Sequence, residues 1–293
     1  HYKLVGNHSA VKLCHWTKKS LKDEGFCYKE QFYGIKCHRC LQFTPVVNWC
    51  NQNCIFCWRV TDSTENDELP FEGDDPESII DEAERQQRRL LSGFGGIPER
   101  LNKEKFKEAQ NPNQVAISLS GEPTLYPRLG ELIEAFHKRG YTTYLVTNGT
   151  LPKKIRNLDP LPTQFYLSLD APTKEIYQRL DNPYIKDGWK RINESLEIMK
   201  DLETRTVIRL TMVKGWNMVH SELYAALIKK AQPDFVEVKA YMFVGDSRQK
   251  MTHENMPNQE EIREFAEKLG KELGYTIKDE KKDSRVVLLS KNN

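Results

Sequence analysis

The sequence predicts an α/β fold, an incomplete (β/α)6 barrel carried behind a loop-rich, cysteine-bearing N-terminal extension. Three observations predict it. From residue 43 onward, short β-branched and aromatic runs alternate with amphipathic helical stretches, the pattern of a parallel sheet with helices outside it. Six such runs occur, too few for a closed eight-strand barrel. Polar residues recur at the carboxyl ends of consecutive strands, where α/β folds collect their ligand sites. A doubly wound open sheet is the alternative.

Residues 1–42 are basic, aromatic and without clear periodicity, and are expected to be rich in loops. FTPVVNW (43–49) is expected as the first buried strand. Residues 61–84 hold eleven Asp/Glu and no Lys/Arg. The early part is expected as an acidic loop. Asp75-Pro76 then supplies an N-cap and a first-turn proline for a helix running to about Leu91. Its basic end (Arg85, Arg88, Arg89) suits the helix dipole, and Gly93, Gly95, Gly96 and Pro98 stop it.

Strands follow at 115–120, 142–148, 164–170, 206–213 and 235–244. Helices are expected at 129–138, 152–158, 173–180, 188–203, 220–231 and 258–273. Glu237, Lys239 and Tyr241 share one face by the period of two, the face that lines the cavity of a barrel. The tail 275–291 reads as a closing hairpin or an edge strand. Three parts are therefore expected: the extension 1–42, the core 43–274 and the tail 275–293.

The net charge of +2 excludes a uniformly basic nucleic-acid binder but not a local patch. No run of about 18 apolar residues predicts a membrane span, and no signal peptide is visible. The chain opens on His1, so a few preceding residues are expected to be missing. All seven cysteines, at 14, 27, 37, 40, 50, 54 and 57, fall in the first 57 residues. An odd number in so short a stretch reads as metal ligands in a reducing cytosol rather than as disulfides.

Cys50-x3-Cys54-x2-Cys57 follows the first expected strand directly. Three thiolates this close suit an iron–sulfur cube held at three corners, whose fourth iron stays open. A structural zinc site would want a fourth ligand. The motif resembles the signature of the radical S-adenosylmethionine (SAM) superfamily. That resemblance implies a TIM-like partial barrel and a [4Fe–4S] cluster whose open iron binds SAM. Cluster reduction would cleave SAM to methionine and a 5′-deoxyadenosyl radical. Further positions fit as SAM contacts: Gly121 and Glu122 in SGEP, Asn148 in TNG, Ser168 and Asp170 in SLD, and Arg209.

Cys14-x12-Cys27-x12-Cys40 is evenly spaced and suits a second cluster. Cys37-x2-Cys40 with Cys14 and Cys27 would instead make a zinc site. The segments GNHSAVKLCHWTKKSL, FCYKEQFYGIKCHRC, CNQNCIFCWRV, SLSGEPTLYP, LVTNGT, FYLSLDAPT, RLTMVKGWN and KAYMFVGDSR resemble the tRNA 4-demethylwyosine synthase family over nearly the whole chain. The short archaeal-type form is implied, served by an external one-electron reductant. So is the reaction: N1-methylguanosine at position 37 of tRNA(Phe), with pyruvate and SAM, becomes the tricyclic 4-demethylwyosine.

Carried over by motif, Cys50, Cys54 and Cys57 would hold the SAM cluster and Cys14, Cys27 and Cys40 a second [4Fe–4S] cluster. Cys37 would ligate nothing. Lys29, two residues after Cys27, is the candidate for a Schiff base with pyruvate, ahead of Lys36, Lys239 and Lys12.

Residues 1–60 carry nine Lys/Arg against three acids, a local +6, interleaved with Trp16, Phe26, Tyr28, Phe32 and Tyr33. Residues 85–108 add seven against three, or +4. Such surfaces suit the unpaired anticodon loop, with Arg59, Arg85, Arg88 and Arg89 as candidate RNA contacts. The acidic 61–75 stretch is expected to avoid RNA. The competing readings are a different radical SAM reaction and a non-enzymatic iron–sulfur or zinc-stabilised RNA-binding module.

Overall fold

The structure is a computed structural model that describes residues 2–59, 62–63, 68–96 and 98–291. The centre of the expected acidic loop, 64–67, lies outside the described residues. In chain order the elements are β1 (Lys3–Val5), β2 (Ser9–Lys12), α1 (His15–Ser20), α2 (Tyr28–Tyr33), β3 (Cys40–Thr44), β4 (Trp49–Cys50), β5 (Asp62–Ser63), α3 (Pro76–Ser92), α4 (Lys103–Ala109), β6 (Gln114–Ile117), α5 (Leu129–Lys138) and β7 (Thr142–Thr147). There follow α6 (Pro152–Arg156), β8 (Gln164–Ser168), α7 (Lys174–Leu180), α8 (Gly188–Met199), β9 (Arg205–Met212), α9 (Ser221–Ala231), β10 (Phe235–Ala240), α10 (Gln259–Leu273), β11 (Tyr275–Lys281) and β12 (Val286–Lys291). They divide into two compact units.

The first unit comprises His1–Asn48, Glu68–Val146 and Leu158–Thr163. β3, β6 and β7 run parallel, with Leu41 opposite Val115 and Val115 opposite Thr143. β2 pairs antiparallel with β3, and β1 with β2. Helix α3 starts where Asp75 accepts the Ser78 amide at 3.0 Å, with Pro76 in the first turn. It buries Ile79, Ile80, Ala83 and Leu91, and α5 buries Leu132, Ile133 and Phe136. Phe43 and Phe136 meet edge to face, centroids 6.0 Å apart.

The second unit comprises Trp49–Asp67, Thr147–Asn157 and Gln164–Asn293. β8, β9 and β10 run parallel, with Ser168 opposite Arg209 and Arg209 opposite Glu237. The tail is the expected hairpin. β12, whose Val286–Leu289 are buried, pairs antiparallel with both β10 and β11. Helix α10 opens on a reciprocal capping box between Asn258 and Glu261 and closes on Gly274 at φ +75°.

Six strands thus run in the parallel sense within their units, as expected of alternating β and α segments. Several elements depart from expectation: α4 (Lys103–Ala109) falls where no helix is expected, and the strands expected at 115–120 and 235–244 end at Ile117 and Ala240. The first parallel strand is Cys40–Thr44, not 43–49, because Pro45 has no N–H to continue the ladder. The extension is not loop-rich but holds β1, β2, α1 and α2, elements too short to leave a periodic signal. Helix α8 ends at Met199, where Asp201 N–H turns back onto the Ile198 carbonyl at 3.0 Å. Among the described residues no helix is long and apolar enough to cross a membrane.

Candidate active site and cysteine centres

In the first unit, two of the evenly spaced cysteines sit at helix starts and the third opens a strand. Cys14 and Cys27 are the N-cap residues of α1 and α2, both with extended backbone and neither thiol used for capping. Cys40 begins β3. The three lie within electrostatic reach: the Cys40 thiol is raised first by burial, then by Cys14 and Cys27, while Lys29 opposes the rise. Lys29 is buried and its Nζ stands 5.0 Å from the centre of the Tyr144 ring.

Cys37 is buried and differently engaged. Its sulfur accepts the Cys27 N–H at 3.4 Å, its thiol faces the Trp16 carbonyl at 3.9 Å, and its own N–H donates to Glu30 at 2.8 Å. Burial pushes this thiol up to about 12.

The Ser120-Gly121-Glu122-Pro123 turn is also in this unit. Gly121 takes φ +67°, a value that favours glycine. Glu122 is buried, and its carboxylate accepts the Thr124 amide at 3.0 Å and hydroxyl at 2.6 Å. Thr44 Oγ1 donates to the Ser120 carbonyl at 2.5 Å, and Ser120 Oγ to the Val47 carbonyl at 2.6 Å.

In the second unit, Cys50 ends β4, and Cys54 and Cys57 follow in a tight turn closed by the Cys57 N–H on the Cys54 carbonyl at 3.0 Å. Burial raises the Cys54 thiol most, then Asp181, Cys57 and Cys50. The segment after α7 straps this loop down. Asn53 N–H donates to Asn182 O at 3.1 Å, Ile55 N–H to Leu180 O at 2.9 Å, and Tyr184 N–H to Asn51 O at 3.1 Å. Gln52 and Pro183 form the bridge between them.

Asn148 secures the same loop from the end of β7. Its amide nitrogen donates to Asn51 Oδ1 at 3.0 Å and lies 3.9 Å from the Cys50 sulfur. Its amide oxygen accepts Thr150 N–H at 3.0 Å and Oγ1–H at 2.7 Å.

Asp170 accepts the Thr211 N–H at 2.7 Å, and burial raises its carboxyl to about 6 against that bond and the Arg209 charge. Arg209 lies 5.7 Å from the centre of the Tyr166 ring, and Tyr166 Oη donates to the buried Glu237 at 3.1 Å. With Ser168 in register beside Arg209, β8, β9 and β10 form one polar ladder. Lys239 donates to the Ser284 carbonyl at 2.8 Å and so ties the ladder to the tail hairpin.

The candidate RNA contacts differ in availability. Arg59 is buried with its guanidinium 3.0 Å from the centre of the Trp58 ring. Arg85 pairs with Glu82, and Arg88 with Glu84 at 2.9 Å, both on their own helix. Arg89 is exposed.

Among the described residues no three His, Cys, Asp or Glu side chains close on one metal ion. A cube asks less than that, because it holds each thiolate at a separate iron. The donor chemistry of both cysteine sets fits such a group: each offers three part-buried thiols, and in each one thiol, Cys40 or Cys54, is pushed up by burial and by its neighbouring cysteines, a rise that a cationic iron site would reverse. Sequence patterns missed the supports, Asn51, Gln52, Thr150 and the strap 180–184. The one available signal was Asn182-Pro183, which breaks α7.

A family model described as the radical SAM superfamily matches residues 44–227, and one described as wyosine base formation matches residues 230–291. The S-adenosyl-L-methionine-dependent tRNA 4-demethylwyosine synthase of Pyrococcus horikoshii is 57% identical, over 100% of this chain and 86% of that protein. The Methanocaldococcus jannaschii protein of the same name is 42% identical, over 99% and 93%. A solved structure described as TYW1 with a lysine-pyruvate adduct bound superposes with a TM-score of 0.89 at 42% identity, covering 99% of this chain and 92% of that one.

Proposed function

Because the chain belongs to the S-adenosyl-L-methionine-dependent tRNA 4-demethylwyosine synthases, radical SAM enzymes of the wyosine pathway, we propose how its two cysteine sets divide the work. Cys50, Cys54 and Cys57 hold the [4Fe–4S] cluster that binds SAM, and Cys14, Cys27 and Cys40 hold a second one. When bound and reduced by an external donor, the SAM cluster supplies the electron that generates a 5′-deoxyadenosyl radical. The six parallel strands act as an incomplete barrel, and the first 42 residues carry the second cluster. Gly121, Glu122, Asn148, Ser168, Asp170 and Arg209 serve SAM directly or by holding the loops that do. Asn148 fixes the Cys50 loop, and Asp170 holds Thr211 on the strand of Arg209.

The substrates are N1-methylguanosine-37 in the anticodon loop of tRNA(Phe) and pyruvate. Lys29 carries this reading. It is a buried amine within electrostatic reach of the Cys40 thiol, and Tyr144 shields one side. The neighbouring structure with a lysine-pyruvate adduct supports an imine at such an amine. As an imine, pyruvate C2 becomes a better acceptor for a carbon radical on the N-methyl group. The test is anaerobic incubation of the reconstituted protein with methylated tRNA, pyruvate, SAM and a reductant. A fluorescent tricyclic base is expected, together with a borohydride-trapped pyruvate adduct on Lys29. Product without an adduct at Lys29 contradicts the residue assignment, and absence of product contradicts the reaction.

A further inference from the structure

The second unit has a cavity of about 250 Å³ lined by Lys174, Tyr177, Gln178, Tyr184, Lys186 and Trp189, among others. Its chemistry is not that of the cysteine loop. Three aromatic rings meet two lysines, and Tyr177 and Trp189 lie 5.7 Å apart at 42°. The floor is built rather than incidental. Tyr177 is buried, its hydroxyl accepts from Gln52 Nε2 at 3.1 Å, and Gly188 leaves it room, since a Cβ there would collide with that hydroxyl. Lys186 is exposed, and its sequence neighbour Asp187 is already engaged by Arg191 at 2.8 Å. Lys174 and Gln178 are exposed as well.

We propose that this cavity receives one unpaired nucleotide of the tRNA substrate, its base against Trp189 and Tyr184 and its phosphates at Lys174 and Lys186. The inference rests on the chain's acting on tRNA. Aromatic faces stack unpaired bases, and lysines supply the sequence-independent phosphate contact. The volume lies below the roughly 300–1,000 Å³ of pockets that enclose a whole small-molecule ligand, which suits one planar base with its backbone outside. Pro183 and Tyr184 line the cavity and also pair with Gln52 and Asn51 of the cysteine loop. A nucleotide held here is therefore tied by one short strap to the loop that carries Cys54. It would be a loop nucleotide other than the one being modified.

The test is equilibrium binding of the full chain to an anticodon stem-loop RNA, compared with the same stem closed by a non-nucleotide linker. Trp189→Leu is expected to weaken stem-loop binding about tenfold, within the range for one stacked base, and to leave the linker-closed stem unaffected. Trp189→Phe should restore the affinity, which a merely structural tryptophan would not require. Lys174→Ala with Lys186→Ala should lower the slope of log K against log salt by about 1.4, two phosphates at about 0.7 each. SAM cleavage without RNA should be unchanged in that double variant. Equal affinity of parent and variants for the stem-loop, or equal loss for both RNAs, overturns the inference. If the parent does not distinguish the two RNAs, the base site is overturned while tRNA binding stands. If it binds neither, the tRNA reading falls as well.

Discussion

The Ile55 amide donates to the Leu180 carbonyl at 2.9 Å, so the loop bearing Cys50, Cys54 and Cys57 is clamped by the end of α7. Ile55 lies between two of the three thiols, and its backbone sets where they stand. Proline at 55 removes the donor. Ile55→Pro is expected to lose iron from this set alone, so that reconstituted protein falls from about eight irons per chain to about four. A full iron load in the variant would show that the strap does not position the cysteines.

Cys37 is the thiol that the spacing leaves over, and its sulfur serves the backbone of Cys27. Cys37→Ala should keep the full iron load yet lower the unfolding free energy by about 1–3 kcal/mol, through the lost hydrogen bond and a small void. Iron counting and urea unfolding read the two effects separately. Loss of a whole cluster would instead make Cys37 a ligand and favour the zinc-like grouping with Cys14, Cys27 and Cys40.

Lys29→Arg keeps a cation near Cys40 but cannot form an imine. SAM cleavage should persist, while formation of the tricyclic base falls by a factor of about 10² or more, the scale of losing a covalent acceptor. Product formation near the parent rate would move the Schiff base to another lysine.

Burial raises the Asp170 carboxyl from its ordinary 3.8 to about 6. The folded state then holds the proton more tightly than the unfolded state. Its contribution to stability is therefore full below about pH 4 and is lost as the pH rises through about 6. Relative to Asp170→Asn, the parent should lose stability across that window, the buried Asp181 carboxyl opposing the same ionisation. Urea unfolding of both proteins at several pH values measures the difference. Parallel curves would mean that the carboxylate is fully compensated by Thr211 and Arg209.

How much of this could be read beforehand depended on the length scale of the signal. Helix α3 was legible from Asp75-Pro76 and its buried face, α10 and the tail hairpin from periodicity. The neighbourhood of Cys40 with Cys14 and Cys27 was legible as an even spacing. The antiparallel β1 and β2 were not, because three and four residues carry no period. Nor was the role of Asn148, whose amide meets Asn51 from 97 residues away. Arg59 illustrates the opposite limit. A basic residue in a basic segment reads as surface, yet here it is buried against Trp58, a packing that local composition does not encode.

Counting iron and sulfide after anaerobic reconstitution tests most directly whether the two separate cysteine sets are two cube sites. About eight of each per chain are expected for the parent, and about four for Cys14→Ala and for Cys50→Ala alike, each variant keeping the spectrum of the other cluster. Four irons in the parent, unchanged by Cys14→Ala, would contradict it.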